Sequence, residues 1–213
     1  MSKVGITLNE VLRDHISQFA YTYEKYHDTG VDEEGKRIEF DLKEHPIEDF
    51  DFMKHKLVNF KDEMEMKKFL YVEAALEVFG HADQTHNNIM THFNAFLLEM
   101  EDEEEHDFEI VSREAAMSIP STYFFLSKTL CKTPNIRFVT SYADKWEGLD
   151  VLITACPVAL EAKPAGKISV KVNTSYNKDV KADFEIDDLM EFMNNSDLRD
   201  KVFGTKTADF EEL

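Results

Sequence analysis

The sequence predicts an α/β fold with a mostly parallel, five-stranded sheet and a helical cap inserted after the first strand. Three observations support this prediction. Five short runs are rich in β-branched or apolar residues, a stretch of roughly a hundred residues with helical periodicity separates the first two runs, and strands alternate with helices afterwards. The five runs are residues 4–8, 108–112, 136–140, 151–154 and 168–172.

The five strands are predicted to lie side by side in a Rossmann-like arrangement. The central runs are almost purely apolar, as is typical of parallel strands that are covered on both faces. Strand and helix alternate after residue 107, and this order is typical of parallel sheets built from crossover connections.

Helical periodicity identifies the elements between the strands. Apolar side chains recur at helical spacing over residues 11–23 and again over residues 69–79, and a further helix is predicted over residues 83–100. After Arg113, Ser118 is suited to cap a helix with Pro120 in its first turn. Two short amphipathic helices are predicted near the end of the chain, over residues 187–193 and 196–203.

These elements predict two structural units. Residues 1–13 and 107–213 form the core, and residues 14–106 form the inserted helical cap.

Composition narrows the class of protein. The chain has 213 residues, 43% of them hydrophobic, and a formal charge of −19. Such acidity argues against direct binding of nucleic acid, because phosphate contacts need Lys and Arg. No apolar run approaches the ~20 residues of a membrane helix, and neither a signal peptide nor membrane association is expected. Cys131 and Cys156 lack metal-ligand spacing, so a reducing, cytoplasmic location is expected.

Two segments carry a motif whose acidic residues are replaced. Residues 4–12, VGITLNEVL, resemble the first motif of the haloacid dehalogenase-like (HAD) phosphatases, hhhDxDGVL, with Thr7 and Asn9 at the positions of the two aspartates. Residues 150–157, DVLITACP, resemble the later DhLIDDxP segment of that family, with Thr154 and Ala155 in place of the paired acids.

The order of the segments resembles the 5'-deoxyribonucleotidase branch of this superfamily, whose cap lies between the first two motifs. Ser112 stands at a strand end where the second motif has a phosphate-binding hydroxyl, and Lys145 matches the lysine of the third motif. Tyr176 and Asn177 complete the pattern. The remnant pocket is therefore predicted to comprise Thr7, Asn9, Ser112, Lys145, Thr154 and Ala155.

The resemblance implies a chemistry for which this sequence lacks the groups. In intact members the first aspartate is a nucleophile, the second is a general acid and base, and a Mg²⁺ is held with the help of the late acidic pair. Thr7 and Asn9 can do neither task of the first pair at neutral pH, and Thr154 and Ala155 offer no carboxylate. We therefore expect no catalytic residues, no metal site and no cofactor.

Two functional interpretations remain open. The first is a pseudoenzyme rather than an enzyme: a degenerate phosphatase-like protein that acts as a structural or interaction component of a phage assembly, located in the host cytoplasm or the virion. It would bind other protein chains and retain at most weak phosphate or anion binding. The alternative is an active Mg-dependent 5'-nucleotidase, or a nucleotide-binding protein, that uses displaced acids.

Overall fold

The computed structural model describes residues 2–102, 106–133 and 135–204, and its centre is a parallel sheet. Within these residues the sheet has six strands, which are β1 Ser2–Ile6, β4 His106–Arg113, β5 Ile136–Val139, β6 Val151–Thr154, β7 Ile168–Val172 and β8 Phe184–Ile186. Their order is β5-β4-β1-β6-β7-β8, and every neighbouring pair is parallel. A separate antiparallel pair joins β2, Arg13–Asp14, to β3, Asp83–Gln84.

The α/β class and the parallel sheet are confirmed, whereas the predicted number of five strands is wrong. The sixth strand, β8, has only three residues, and of these only Ile186 is buried. An edge strand this short has no run of apolar residues, so its pairing with β7 leaves no pattern in the sequence.

The described parts of the chain contain seven α-helices. They are α1 His15–Tyr26, α2 Glu63–Lys68, α3 Ile89–Asp102, α4 Ser118–Lys128, α5 Pro157–Glu161, α6 Leu189–Asn194 and α7 Ser196–Gly204. The predicted helix over residues 69–79 is present as two π-helical turns, Phe69–Glu73 and Leu76–Gly80. The helix predicted from residue 83 begins at residue 89, because residues 83–84 pair with β2 instead.

The buried side chains form separate hydrophobic clusters. One lies around the sheet and includes Ile6, Ile110 and Ile153, together with Phe93 and Phe96 of α3. Another is rich in aromatic residues and is drawn from residues 16–79. α3 therefore packs with the sheet, although its residues fall within the predicted cap, residues 14–106. The division into core and cap stays a prediction.

The register of the sheet decides where the motif residues meet. Ile6 of β1 is paired with Ile110 of β4 on one side and with Ile153 of β6 on the other. The residues just beyond these pairs therefore share the carboxyl edge of the sheet, which is where ligands bind in open α/β folds. No helix in the described parts of the chain is long and apolar enough to cross a membrane.

Candidate functional site

The centre of the carboxyl edge is neutral and makes its own hydrogen bonds. The Thr7 hydroxyl donates to Thr154 Oγ1 at 3.0 Å, and Thr154 Oγ1 also accepts from the backbone N–H of Cys156 at 3.1 Å. Thr154 and Ala155 are fully buried. The two strand ends are thus joined by hydroxyl groups at the positions where the family motif has acids.

Asn9 and Ser112 belong to a buried network around Arg13. Arg13 is completely buried and forms an ion pair with Glu114, with Nη2 2.9 Å from Oε1. Its Nε and Nη2 donate to Asn9 Oδ1 at 2.9 and 2.5 Å. The same Glu114 oxygen accepts from the hydroxyls of Ser112 and Thr122, each at 2.9 Å. The side chains of Asn9 and Ser112 are therefore both held by hydrogen bonds to other buried side chains of the chain.

Two cations face a cleft between the sheet edge and residues 50–79. Lys145 is 6% exposed, and among the described residues none forms a hydrogen bond or ion pair with its Nζ; the ring centre of Tyr142 lies 5.4 Å away. Burial lowers the pKa of Lys145. The guanidinium of Arg113 donates to the hydroxyls of Tyr71 and Tyr142 at 3.1 and 3.4 Å, and in the described parts of the chain it has no carboxylate partner.

Aromatic rings form much of the remaining wall of the cleft. They are Phe50, Phe52, Tyr71, Phe79, Tyr142 and Tyr176. His15 lies near two of them, with ring centres 5.8 Å from Phe52 and 4.9 Å from Phe79. Its Nε2 is buried without a hydrogen-bond partner among the described residues. Burial, and secondarily the charge of Arg13, lowers the pKa of His15 to about 3.

Glu10 brings a carboxyl group to the same cleft. Its backbone is left-handed, with a φ of 61°, at the position where the family motif has glycine. Its Oε1 accepts from the backbone N–H groups of His15 at 3.0 Å and Ile16 at 2.9 Å. Burial, and then the charge of Asp14, raises the pKa of Glu10 to about 8.

The sequence did not identify Glu10 as a site residue, because a residue at the start of a helix need not face the strand edge. A side chain in place of the motif's glycine was the available signal. Four of the six predicted pocket residues line the cleft: Thr7, Asn9, Ser112 and Lys145. The other two, Thr154 and Ala155, are not among the described residues of its lining. Their roles in binding stay predictions.

The residues at the strand edge do not fit a magnesium ion. Mg²⁺ is usually held by one or two carboxylates together with water and substrate phosphate. The four motif positions offer hydroxyl, amide and methyl groups, and Asn9 Oδ1 is already bonded to Arg13. Within residues 2–102, 106–133 and 135–204, no group of three His, Cys, Asp or Glu is placed to hold a metal.

Comparisons with known proteins identify the fold. No family model matches the sequence, and no curated protein sequence is significantly similar. One similar structure is the magnesium-bound form of YfnB from Bacillus subtilis, which is described as a HAD-hydrolase. Its sequence is 13% identical and the TM-score is 0.50. The match covers 91% of this chain and 97% of the YfnB chain.

Two further structures have lower TM-scores. A haloacid dehalogenase-like family hydrolase from Xanthomonas campestris (11% identity, TM-score 0.47) covers 97% of each chain. A HAD hydrolase, family IA, variant 3, from Entamoeba histolytica (12% identity, TM-score 0.48) covers 92% of this chain and 100% of its own. The likeness to the Bacillus protein shows that the chain has the fold of HAD hydrolases.

This finding corrects the prediction that the chain is not an enzyme. The fold is one found in hydrolases, and four replaced acids do not exclude a reaction carried out by other groups. The cleft holds such groups in Glu10, Arg113 and Lys145. The pseudoenzyme interpretation rested on the motif alone, and it is withdrawn.

Proposed function

We propose that this protein is a hydrolase of phosphate monoesters whose alcohol part carries an aromatic ring, with nucleoside monophosphates as the substrate class. The observation that carries the proposal is the buried ammonium of Lys145, which forms no ion pair with any described carboxylate and which faces the cleft. A buried charge is normally paired. A phosphate dianion supplies the missing partner.

The balance of charge in the cleft supports an anionic ligand. Arg113 and Lys145 are the cations of its lining, and Glu10 and Asp51 are its acidic residues. Glu10, with a pKa of about 8, is mostly protonated at pH 7, and His15, with a pKa of about 3, is neutral. The cleft is therefore positive in a chain whose formal charge is −19.

The shape of the lining supports an aromatic group on the ester. Phe50 contacts Tyr142 and Tyr176, with ring centres 5.4 and 5.6 Å apart, and this group stands beside the two cations. Aromatic rings bind one another in offset or edge-to-face arrangements worth about 0.5–1.5 kcal/mol beyond burial. A nucleobase provides such a ring at one end of the substrate and the phosphate at the other.

Four finer interpretations of the sequence stay predictions. These are the 5'-deoxyribonucleotidase branch, the phage origin, the stable complex with other protein chains and the cytoplasmic location. The proposed activity depends on none of them.

The proposal is tested by phosphate release from a panel of nucleoside monophosphates, in the presence of EDTA and after addition of Mg²⁺. We expect turnover that EDTA does not abolish, because the motif positions do not suit Mg²⁺. Lys145→Met should weaken substrate and inorganic phosphate binding about 10- to 100-fold, the equivalent of one charge-assisted hydrogen bond. Lys43→Met, on the exposed surface, is the control.

The stability of the Lys145 variant separates a binding role from a structural one. Removing an unpaired buried ammonium should leave the free energy of unfolding unchanged or raise it. Wild-type protein that hydrolyses no member of the panel would refute the proposed function.

A further inference from the structure

The conformation of Glu10 distinguishes it from an ordinary helix cap. Its φ of 61° lies in the left-handed region, which costs a residue with a side chain about 1 kcal/mol or more. Its backbone N–H donates to the Arg13 carbonyl oxygen at 2.8 Å, which closes a tight turn between β1 and β2. Glycine would adopt this turn without strain. Strained positions of this kind concentrate at functional sites.

The hydrogen bonds of Glu10 define which of its two oxygens can carry a proton. Oε1 accepts from two backbone N–H groups, those of His15 and Ile16, and so acts as an acceptor. In the protonated carboxyl group the hydrogen therefore resides on Oε2. Among the described residues, none hydrogen-bonds this second oxygen, and the side chain lines the cleft. A ligand in the cleft can receive that hydrogen.

Burial, and then the charge of Asp14, favours the protonated form of Glu10. The like charge of Asp14, in β2, raises the pKa of Glu10. The backbone N–H groups of Ile16 and His15, in α1, and the positive charge of Arg13, in β2, lower it. Tyr176, from the segment after β7, interacts with Glu10 and has its own pKa raised mainly by burial. His15 is neutral. Burial outweighs the opposing effects, so the carboxyl group titrates near pH 8.

We propose that Glu10 is the catalytic acid of the site and protonates the ester oxygen that leaves from phosphorus. This inference rests on the proposed function. In the step, the oxygen of a water molecule bonds to phosphorus while the bond to the ester oxygen breaks. The Glu10 Oε2 proton passes to the ester oxygen, which leaves as an alcohol.

The remaining protons are also accounted for. One hydrogen of the attacking water stays on the new hydrogen phosphate, and the other leaves to solvent. The Glu10 carboxylate then takes a proton from solvent, so the products are one alcohol and one hydrogen phosphate. Asn9 has no part in the step, because its oxygen is bound to Arg13.

The test compares Glu10→Gln with wild type on two substrates that differ in their need for an acid. A nucleoside monophosphate releases a poor leaving group, whereas p-nitrophenyl phosphate releases one that needs no proton. Glutamine keeps the oxygen that accepts from α1, so the helix start is preserved. We expect kcat for the nucleotide to fall about 10²- to 10⁴-fold and kcat for p-nitrophenyl phosphate to change less than about 10-fold.

The pH profile provides a second measurement. Wild-type turnover of the nucleotide should fall above about pH 8, because Glu10 loses its proton there. This alkaline limb of the pH profile should be absent in Glu10→Gln. Asp14→Asn removes the like charge and should move the limb to lower pH without abolishing activity. Asp14 caps α1 at Ser17 and is not among the residues lining the cleft.

Two outcomes would overturn the inference while leaving the proposed function intact. One is equal loss of activity on both substrates in Glu10→Gln, which indicates a structural role. The other is full activity of that variant on the nucleotide with an unchanged alkaline limb. Failure of the wild type on both substrates would refute the proposed function instead.

Discussion

Arg13 and Lys145 are both buried cations near the candidate site, yet their surroundings differ. Arg13 forms an ion pair with Glu114 and hydrogen bonds to Asn9 and Thr122, all supplied by the chain. Lys145 has a tyrosine ring nearby and no described hydrogen-bond partner. The first cation has its partners within the fold, and the second is the one that we propose binds the ligand. Burial alone therefore does not distinguish a structural charge from a binding one; the set of partners does.

The strongest test of this comparison is to remove the partner of Arg13. Glu114→Gln should lower the free energy of unfolding by about 3–5 kcal/mol, because it leaves a guanidinium buried without its counter-charge. Urea denaturation followed by circular dichroism measures the change. The double variant Arg13→Met/Glu114→Met should recover much of the loss, since an apolar pair avoids the desolvation of both ions.

A loss below about 1 kcal/mol in the single variant would contradict the structural role assigned to Arg13 and would make the two cations equivalent.

A second prediction concerns His15, which lines the cleft with Lys145, and the pH dependence of the free energy of unfolding. Its pKa is about 3 in the folded protein, against about 6.5 in the unfolded chain, so the unfolded state binds more protons between these values. The contribution of His15 to stability is complete above pH 6.5 and is lost as the pH falls towards 3. His15→Phe, which keeps a ring beside Phe52 and Phe79, should reduce the stability difference between pH 7 and pH 4 by about 3 kcal/mol.

The exposed histidine His92 provides the matched control, as His92→Phe makes the same substitution outside the cleft. Equal pH dependence in His15→Phe and wild type would show that the His15 imidazole is not held neutral by the fold.

Substitution of Thr7 should have the smallest effect on the free energy of unfolding. Thr7→Val removes the hydroxyl that donates to Thr154 and should cost about 1 kcal/mol of stability, the usual net contribution of one hydrogen bond. Because Thr7 has no assigned role in the proposed reaction, kcat should stay within a few-fold of wild type. Thermal unfolding and phosphate release measure the two effects. Loss of turnover without loss of stability would make Thr7 the nucleophile and refute the water attack proposed above.

Much of the fold could be predicted because its strands are contiguous apolar runs. The runs at residues 151–154 and 168–172 coincide with β6 and β7. β8 could not be predicted in this way, since three residues at an edge carry almost no pattern. The start of α3 was misplaced because residues 83–84 pair with β2, a contact between segments about 70 residues apart.

The candidate site was predictable only in part. Ser112 and Lys145 were found through the motif, and both line the cleft. Glu10 was missed because its left-handed backbone and its hydrogen bonds from the N–H groups of His15 and Ile16 arise only in the folded chain. Arg13 was missed because arginine is rarely buried, and nothing near it in the sequence indicates a partner.

By itself, the sequence determined the α/β class and the absence of carboxylates at positions 7, 9, 154 and 155, because both are properties of contiguous residues. Only the tertiary structure decided which polar groups are satisfied within the fold. Arg13 meets Glu114 across 101 residues of chain, while Lys145 meets no such partner among the described residues. A side chain's charge is a local property, whereas its neutralisation depends on groups that only folding brings within about 3 Å.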